Sequence, residues 1–162
     1  MPSPSKYLAT YLNDHLLGST AGMELARRAA RENQGSELGA FLTGLARDVE
    51  DDRDTLLALM SELGVTPDRL KVAAGWIGEK LGRLKPNAQL RGYSPLSPLV
   101  ELEGLLIGIR GKLAMWRVLV EVAQDLGLER ERFEALSARA ERQQADVERH
   151  RLDLAHRALM AV

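Results

Sequence analysis

The stretch RDVEDDRD, Arg47 to Asp54, packs five carboxylates, Asp48, Glu50, Asp51, Asp52 and Asp54, into seven positions. Carboxylates at that density either hold a divalent cation or form the wet face of a helix. Little else in the chain has the spacing of a reactive site. With no Cys, thiolate metal sites and cysteine nucleophiles are excluded. Ser19 and Ser36 have no His and acid arranged near them, so nucleophilic catalysis has no support. His150 and His156 are six apart, on different faces of a helix, and read as surface residues. Gly75, Gly78 and Gly82 do not make a phosphate-binding loop. Arg27, Arg28 and Arg31 form a basic cluster near a helix C-terminus, where positive charge suits the dipole. No basic stripe with interleaved aromatics continues it, so nucleic-acid binding is not expected.

The whole chain sets the frame for those residues. Its 162 residues suit one domain with a real core. Composition is 45% hydrophobic but only 4% aromatic, so the interior must be mostly Leu, Ala, Val and Met. A net charge of −1 gives no global field favouring nucleic acid or an anionic membrane. The start, MPSPSKYLATYLNDH, lacks an apolar run of signal-peptide type, and no stretch of about 18 apolar residues occurs. No membrane association and a cytoplasmic location are expected.

Four long segments have helical periodicity. The first, about Ser5 to Asn33, carries Leu8, Leu12, His15, Ser19, Gly22, Ala26 and Ala29 on one stripe. The second, about Glu37 to Leu63, has Ser36 as a cap, Gly64 as a stop and the stripe Leu38, Leu42, Leu45, Val49, Asp52, Leu56, Leu59, Leu63. The third opens at Ser97-Pro98 and carries Leu99, Leu102, Leu106, Ile109, Leu113, Trp116, Val120 and Ala123. The fourth, about Glu129 to Leu159, turns Phe133, Leu136, Ala140, Gln143, Val147, Leu154 and Ala158 inward. No segment alternates with the period of a strand. Between the two pairs lie residues 65–97, where VTPDRL reads as the start of a short helix running to about Leu84.

Helices of about 27 to 31 residues, on the order of 40 Å long, pair as two antiparallel hairpins. A connection as long as residues 65–97 can travel the whole bundle, which favours parallel second and third helices. This all-α four-helix bundle, a single domain over residues 1–162 with a partly helical crossover, resembles the ferritin-like fold. The second helix ending LLALMSELG, and the turn SELGVTPDRL after it, resemble in particular the bacterial stress-associated ferritin-like proteins of unknown function. The resemblance implies a stress-related role and side-by-side homodimers.

The resemblance also implies a ligand set to look for: a Glu from each of two helices and a Glu-x-x-His from each of the other two. The set is degraded here. Asp48-Val49-Glu50-Asp51 and Glu141 to Gln144 both lack the His, and the acid-x-x-His at Asp153 to His156 sits beside the core stripe at the chain's end. Between Glu103 and Glu121 the third helix has no carboxylate, and its central polar residues are Arg110 and Lys112.

Asp52, a lone acid on an apolar stripe, needs a partner. With the hairpin turn near Gln34-Gly35, position 15 falls opposite about position 54, so a buried His15–Asp52 pair is expected to set the register. The rest of the acidic stretch is expected to be solvated, with Arg47–Asp51 an (i, i+4) pair. The metal alternative uses His15, Asp48 and Asp52 with Glu141 or Gln144 to hold iron or manganese, in an oxidase or a metal store. The leading expectation is a non-enzymatic, cofactor-free bundle acting through self-assembly or partner binding. A further alternative is a small-molecule binder, with room left by Gly18, Ser19, Ala21 and Gly22.

Overall fold

The computed structural model describes residues 5–68 and 92–160. Four helices follow one another: α1 (Lys6–Glu32), α2 (Glu37–Glu62), α3 (Ser97–Val122) and α4 (Arg130–Met160). No strand occurs among the described residues. Of the short helix expected to follow Thr66 and run to about Leu84, Pro67 and Asp68 are not helical, and the rest lies outside the described residues.

The helix ends follow local chemistry. Ser5 and Ser36 each accept a hydrogen bond from the third backbone N–H beyond them, Leu8 (3.1 Å) and Gly39 (3.0 Å). Gly64, at φ 68°, ends α2: the Val65 N–H reaches the Met60 carbonyl at 2.8 Å and the Gly64 N–H that of Ser61 at 3.1 Å. Gly127 (φ 69°) ends the turn after α3 in the same way, with the Leu128 N–H bonded to the Ala123 carbonyl at 2.9 Å. Ser97 is not the cap of α3. It is the first helical residue, and its hydroxyl accepts from the Ser94 N–H at 3.0 Å.

The core fixes the topology. One cluster joins Leu12 and Leu16 of α1 to Leu59 of α2, Leu119 of α3 and Phe133 of α4. The other joins Ala26 and Ala29 to Leu42, Leu102, Ile109 and Val147. The start of α1 therefore lies with the ends of α2 and α3 and the start of α4. Neighbours α1 and α2, α1 and α3, and α3 and α4 are antiparallel, while α2 and α3 run parallel, as a crossover over residues 65–97 requires. Side chains at 0% exposure, such as Leu59 and Leu119, anchor this packing, and each contributes roughly 1.5–3 kcal/mol.

The α3 stripe is buried at every expected position from Leu99 to Ala123. The buried face of α1 keeps Leu12, Ala26 and Ala29 of the expected stripe and departs from it in between. There Leu16 and Met23 are buried, and His15, Ser19 and Gly22, which line a cleft, are half-buried.

Candidate functional site

Near the middle of the bundle, polar side chains from three helices interrupt the apolar core. Asp52 of α2 is 3% exposed. The Lys112 ammonium of α3 donates to Asp52 Oδ2 and to Gln143 Oε1 of α4, each at 2.5 Å. Gln143 Nε2 donates to the same Asp52 oxygen at 3.2 Å, closing a triangle. One turn before Gln143, Arg139 sets Nε 3.5 Å from Asp52 Oδ1 and donates from Nη2 to the Asp48 carbonyl at 3.0 Å. Its Nη2 also lies 3.5 Å from Asp48 Oδ1 and 3.7 Å from Asp51 Oδ2. Burial lowers the Lys112 pKa, and the neighbouring Asp52 charge opposes that shift. The buried charges are paired and hydrogen-bonded, the condition under which a charge is tolerated inside a protein.

This geometry corrects the expected His15–Asp52 pair. The acid on the stripe is buried as expected, but its partners are Lys112, Gln143 and Arg139. His15 lies half-buried with its ring edge-on to Tyr11, centroids 4.6 Å apart. At this level of α1 it is Leu16 that is buried, while His15 faces the open cleft. Burial lowers the His15 pKa, and Asp14 opposes that shift.

The acidic stretch is less uniformly solvated than its composition suggests. Asp51 and Asp54 are exposed, but Asp51 faces Arg139 across the bundle rather than pairing with Arg47. Glu50 binds Arg27 of α1 at 2.6 Å. His150 also has a structural partner, stacked on Phe41 at 4.0 Å, whereas His156 is exposed.

The candidate metal ligands do not converge. Glu141 is exposed and paired with Arg117 at 2.7 Å, Gln144 is half-buried beyond the triangle, and Asp48 faces Arg139. Among the described residues no three His, Asp or Glu side chains form a group able to hold a metal ion. Between Asp52 and Gln143, where a cation would bind, stands the Lys112 ammonium. This donor set does not fit a pair of iron or manganese ions, which needs several carboxylates around one point.

Above the triangle, a cleft of about 220 Å³ opens between α1 and α3. Gly18, Ser19 and Gly22 form its α1 wall, and Gly108 and Gly111 its α3 wall. A Cβ placed at Gly18, Gly22, Gly108 or Gly111 meets nothing within 4 Å, so the space exists because side chains are missing there. Val49, Leu56, Leu105, Met115 and Trp116 supply apolar surface, and Asp52 and Lys112 lie among the lining residues. His15, Asp14 and Arg53 also line it. The small residues of α1 thus open a cleft, as one of the alternatives expected.

A second buried acid had no counterpart in the sequence reading. Glu101 is 5% exposed and accepts from Arg28 Nε at 3.1 Å and from the Tyr93 hydroxyl at 2.7 Å. Asn33 Nδ2 donates to that hydroxyl at 2.6 Å, tying the chain before α3 to the end of α1. Burial and the Glu101 bond push the Tyr93 pKa up. Asn13 is another such residue: it donates to the Thr66 carbonyl at 3.2 Å and accepts from the Asp68 N–H at 2.7 Å, fastening the start of the crossover. Arg139 could have been suspected, since it is one turn from the inward-facing Gln143. Glu101 sits beside Leu102 with no such pointer.

No helix among the described residues is long and apolar enough to cross a membrane. No family model, no curated protein and no solved structure matches the chain.

Proposed function

We propose that this chain is a non-enzymatic helical bundle that acts by binding, and that it holds a small, mainly apolar molecule in the cleft between α1 and α3. The observation that carries this reading is the set of four glycines whose missing side chains leave open space over apolar side chains. Binding sites for small molecules are typically apolar concavities with a few placed polar groups, and they occur between the helices of bundles. The central polar groups are engaged with one another, which suits a structural role better than proton transfer.

The test is organic extraction of protein purified from its native source, with mass spectrometry of the extract. A single compound in about one-to-one ratio is expected. Gly108→Leu, which fills the cleft without a clash at its Cβ, should lose that compound with no loss of melting temperature. Equal amounts in wild type and Gly108→Leu would refute the cleft as the site.

A ferritin-like kinship, a stress-related role and a cytoplasmic location belong to the same proposal, on the resemblance and the parallel α2 and α3. Self-assembly is the second reading. Ile107 at the cleft rim is 74% exposed, and Leu152, Leu159 and Met160 of α4 are 57–66% exposed. Light scattering should then give twice the 17.9 kDa chain mass.

A further inference from the structure

An apolar row runs along the outward face of α3. Ile107 is 74% exposed and Val118 45% exposed. Ala114 is exposed, and Leu96 and Val100 are half-buried. They recur at helical spacing, so they stand one above another. Scattered apolar residues on a surface are ordinary, but a contiguous row of them marks a place for a partner. On one flank of the row lie Glu103 and Arg110. Among the described residues Arg110 makes no hydrogen bond or ion pair, and Glu103, 52% exposed, has only Arg151 at 3.4 Å.

Symmetry decides which partner suits this face. Val100 lies seven residues before Ile107 and Ala114 seven after it; Leu96 lies eleven before and Val118 eleven after. The charges mirror each other with opposite sign, Glu103 four residues before Ile107 and Arg110 three after. Consider two copies of α3 packed antiparallel about a two-fold axis at Ile107. Glu103 then lies about 6 Å along the helix from the axis, and the partner's Arg110 about 4.5 Å along it in the same direction. Both sit on the same flank, about 40° and about 60° round the helix from Ile107. Each Glu therefore faces an Arg, twice over. A parallel pair would set like charges against each other. A two-fold interface is self-complementary by construction, which is what this mirrored order supplies.

We infer that the outward face of α3 docks a second copy of this chain, with the two α3 helices antiparallel and crossing at Ile107, and with Glu103 of each paired to the partner's Arg110. This inference rests on the self-assembly reading above and not on the cleft ligand. Ile107 meets its own copy at the axis, Val100 meets the partner's Ala114, and Leu96 the partner's Val118. On the flank away from the charges, Gly111 has open space at its Cβ position, so the helices can approach closely.

Light scattering of the full chain at high micromolar concentration should give twice 17.9 kDa. The chain has no Cys, so single cysteines report the register. Under mild oxidation Ile107→Cys, on the axis, should cross-link to its own copy. Ala114→Cys should not, because its two copies stand about 20 Å apart along the helices, but mixed with Val100→Cys it should. Glu103→Arg and Arg110→Glu each turn two opposite-charge contacts into two like-charge ones, and each should weaken the dimer about tenfold or more in sedimentation. Combined in one chain, the two reversals should restore it. Circular dichroism checks that every variant keeps its helices. A wild type of single-chain mass overturns the self-assembly reading and this inference together. A dimer in which Ile107→Cys stays uncrosslinked, or Ala114→Cys links to itself as readily, leaves self-assembly standing and overturns the α3 face. A double reversal as weak as either single one overturns the charge register.

Discussion

Removing Lys112 alone should destabilise this protein more than removing Lys112, Asp52 and Gln143 together. In Lys112→Met the Asp52 carboxylate, 3% exposed, loses its closest partner and keeps only Gln143 at 3.2 Å and Arg139 at 3.5 Å. Breaking one side of a buried pair costs about 3–5 kcal/mol, and the two remaining contacts place this case near 3. The double variant Asp52→Leu/Lys112→Met has no stranded charge. It leaves the Gln143 amide, 5% exposed, without either partner, which costs about 1–3 kcal/mol. Adding Gln143→Leu removes that group too, and the triple variant should lie within about 1 kcal/mol of wild type, because apolar residues of similar volume replace a buried ionic cluster at little cost. Arg139 keeps Asp48 and Asp51 throughout. At roughly 2–4 °C per kcal/mol for a chain of this size, the single variant should melt about 6–12 °C below wild type. The series is read by circular dichroism melts and urea titration of the four proteins under one buffer. Losses that simply add along the series would refute the cluster as one coupled unit, and an unchanged Lys112→Met would refute the burial of its charge.

The glycines should divide by location: Gly18→Ala and Gly108→Ala, mid-helix with open space at Cβ, should each raise stability by about 0.5–1 kcal/mol, whereas Gly127→Ala, at φ 69°, should lower it by about 1 kcal/mol, all read from urea midpoints. The folded-state pKa of His15 is depressed, so its contribution to stability is present above the unfolded value near 6.5 and is lost as pH falls through the lower folded value. Between pH 7.5 and 5 the wild type should therefore lose more melting temperature than His15→Gln, and equal losses would count against the burial of that ring. Glu101→Gln should cost about 1–2 kcal/mol in thermal melts, less than Lys112→Met, because Arg28 is 38% exposed and can rehydrate.

Periodicity and caps were enough to define the four helices, their order and the parallel α2 and α3. Leu and Ala recur at helical spacing, serines and glycines mark the ends, and residues 65–97 are too long for a hairpin turn. The same reasoning placed Asp52 and Gln143 on buried faces and recognised that Asp52 needs a partner. Which partner it takes was a tertiary matter. His15 falls on the apolar stripe of the first segment and Lys112 lies off that of the third, so spacing favoured His15. In the middle of α1 Leu16 and Met23 are buried while His15, Ser19 and Gly22 are only half-buried, and Asp52 takes the ammonium from α3. Gly18 and Gly22 of α1 and Gly108 and Gly111 of α3 stand in the walls of the cleft there. Composition could show that α1 has small residues, but only the packing of whole helices decides whether small residues close an interface or leave a space.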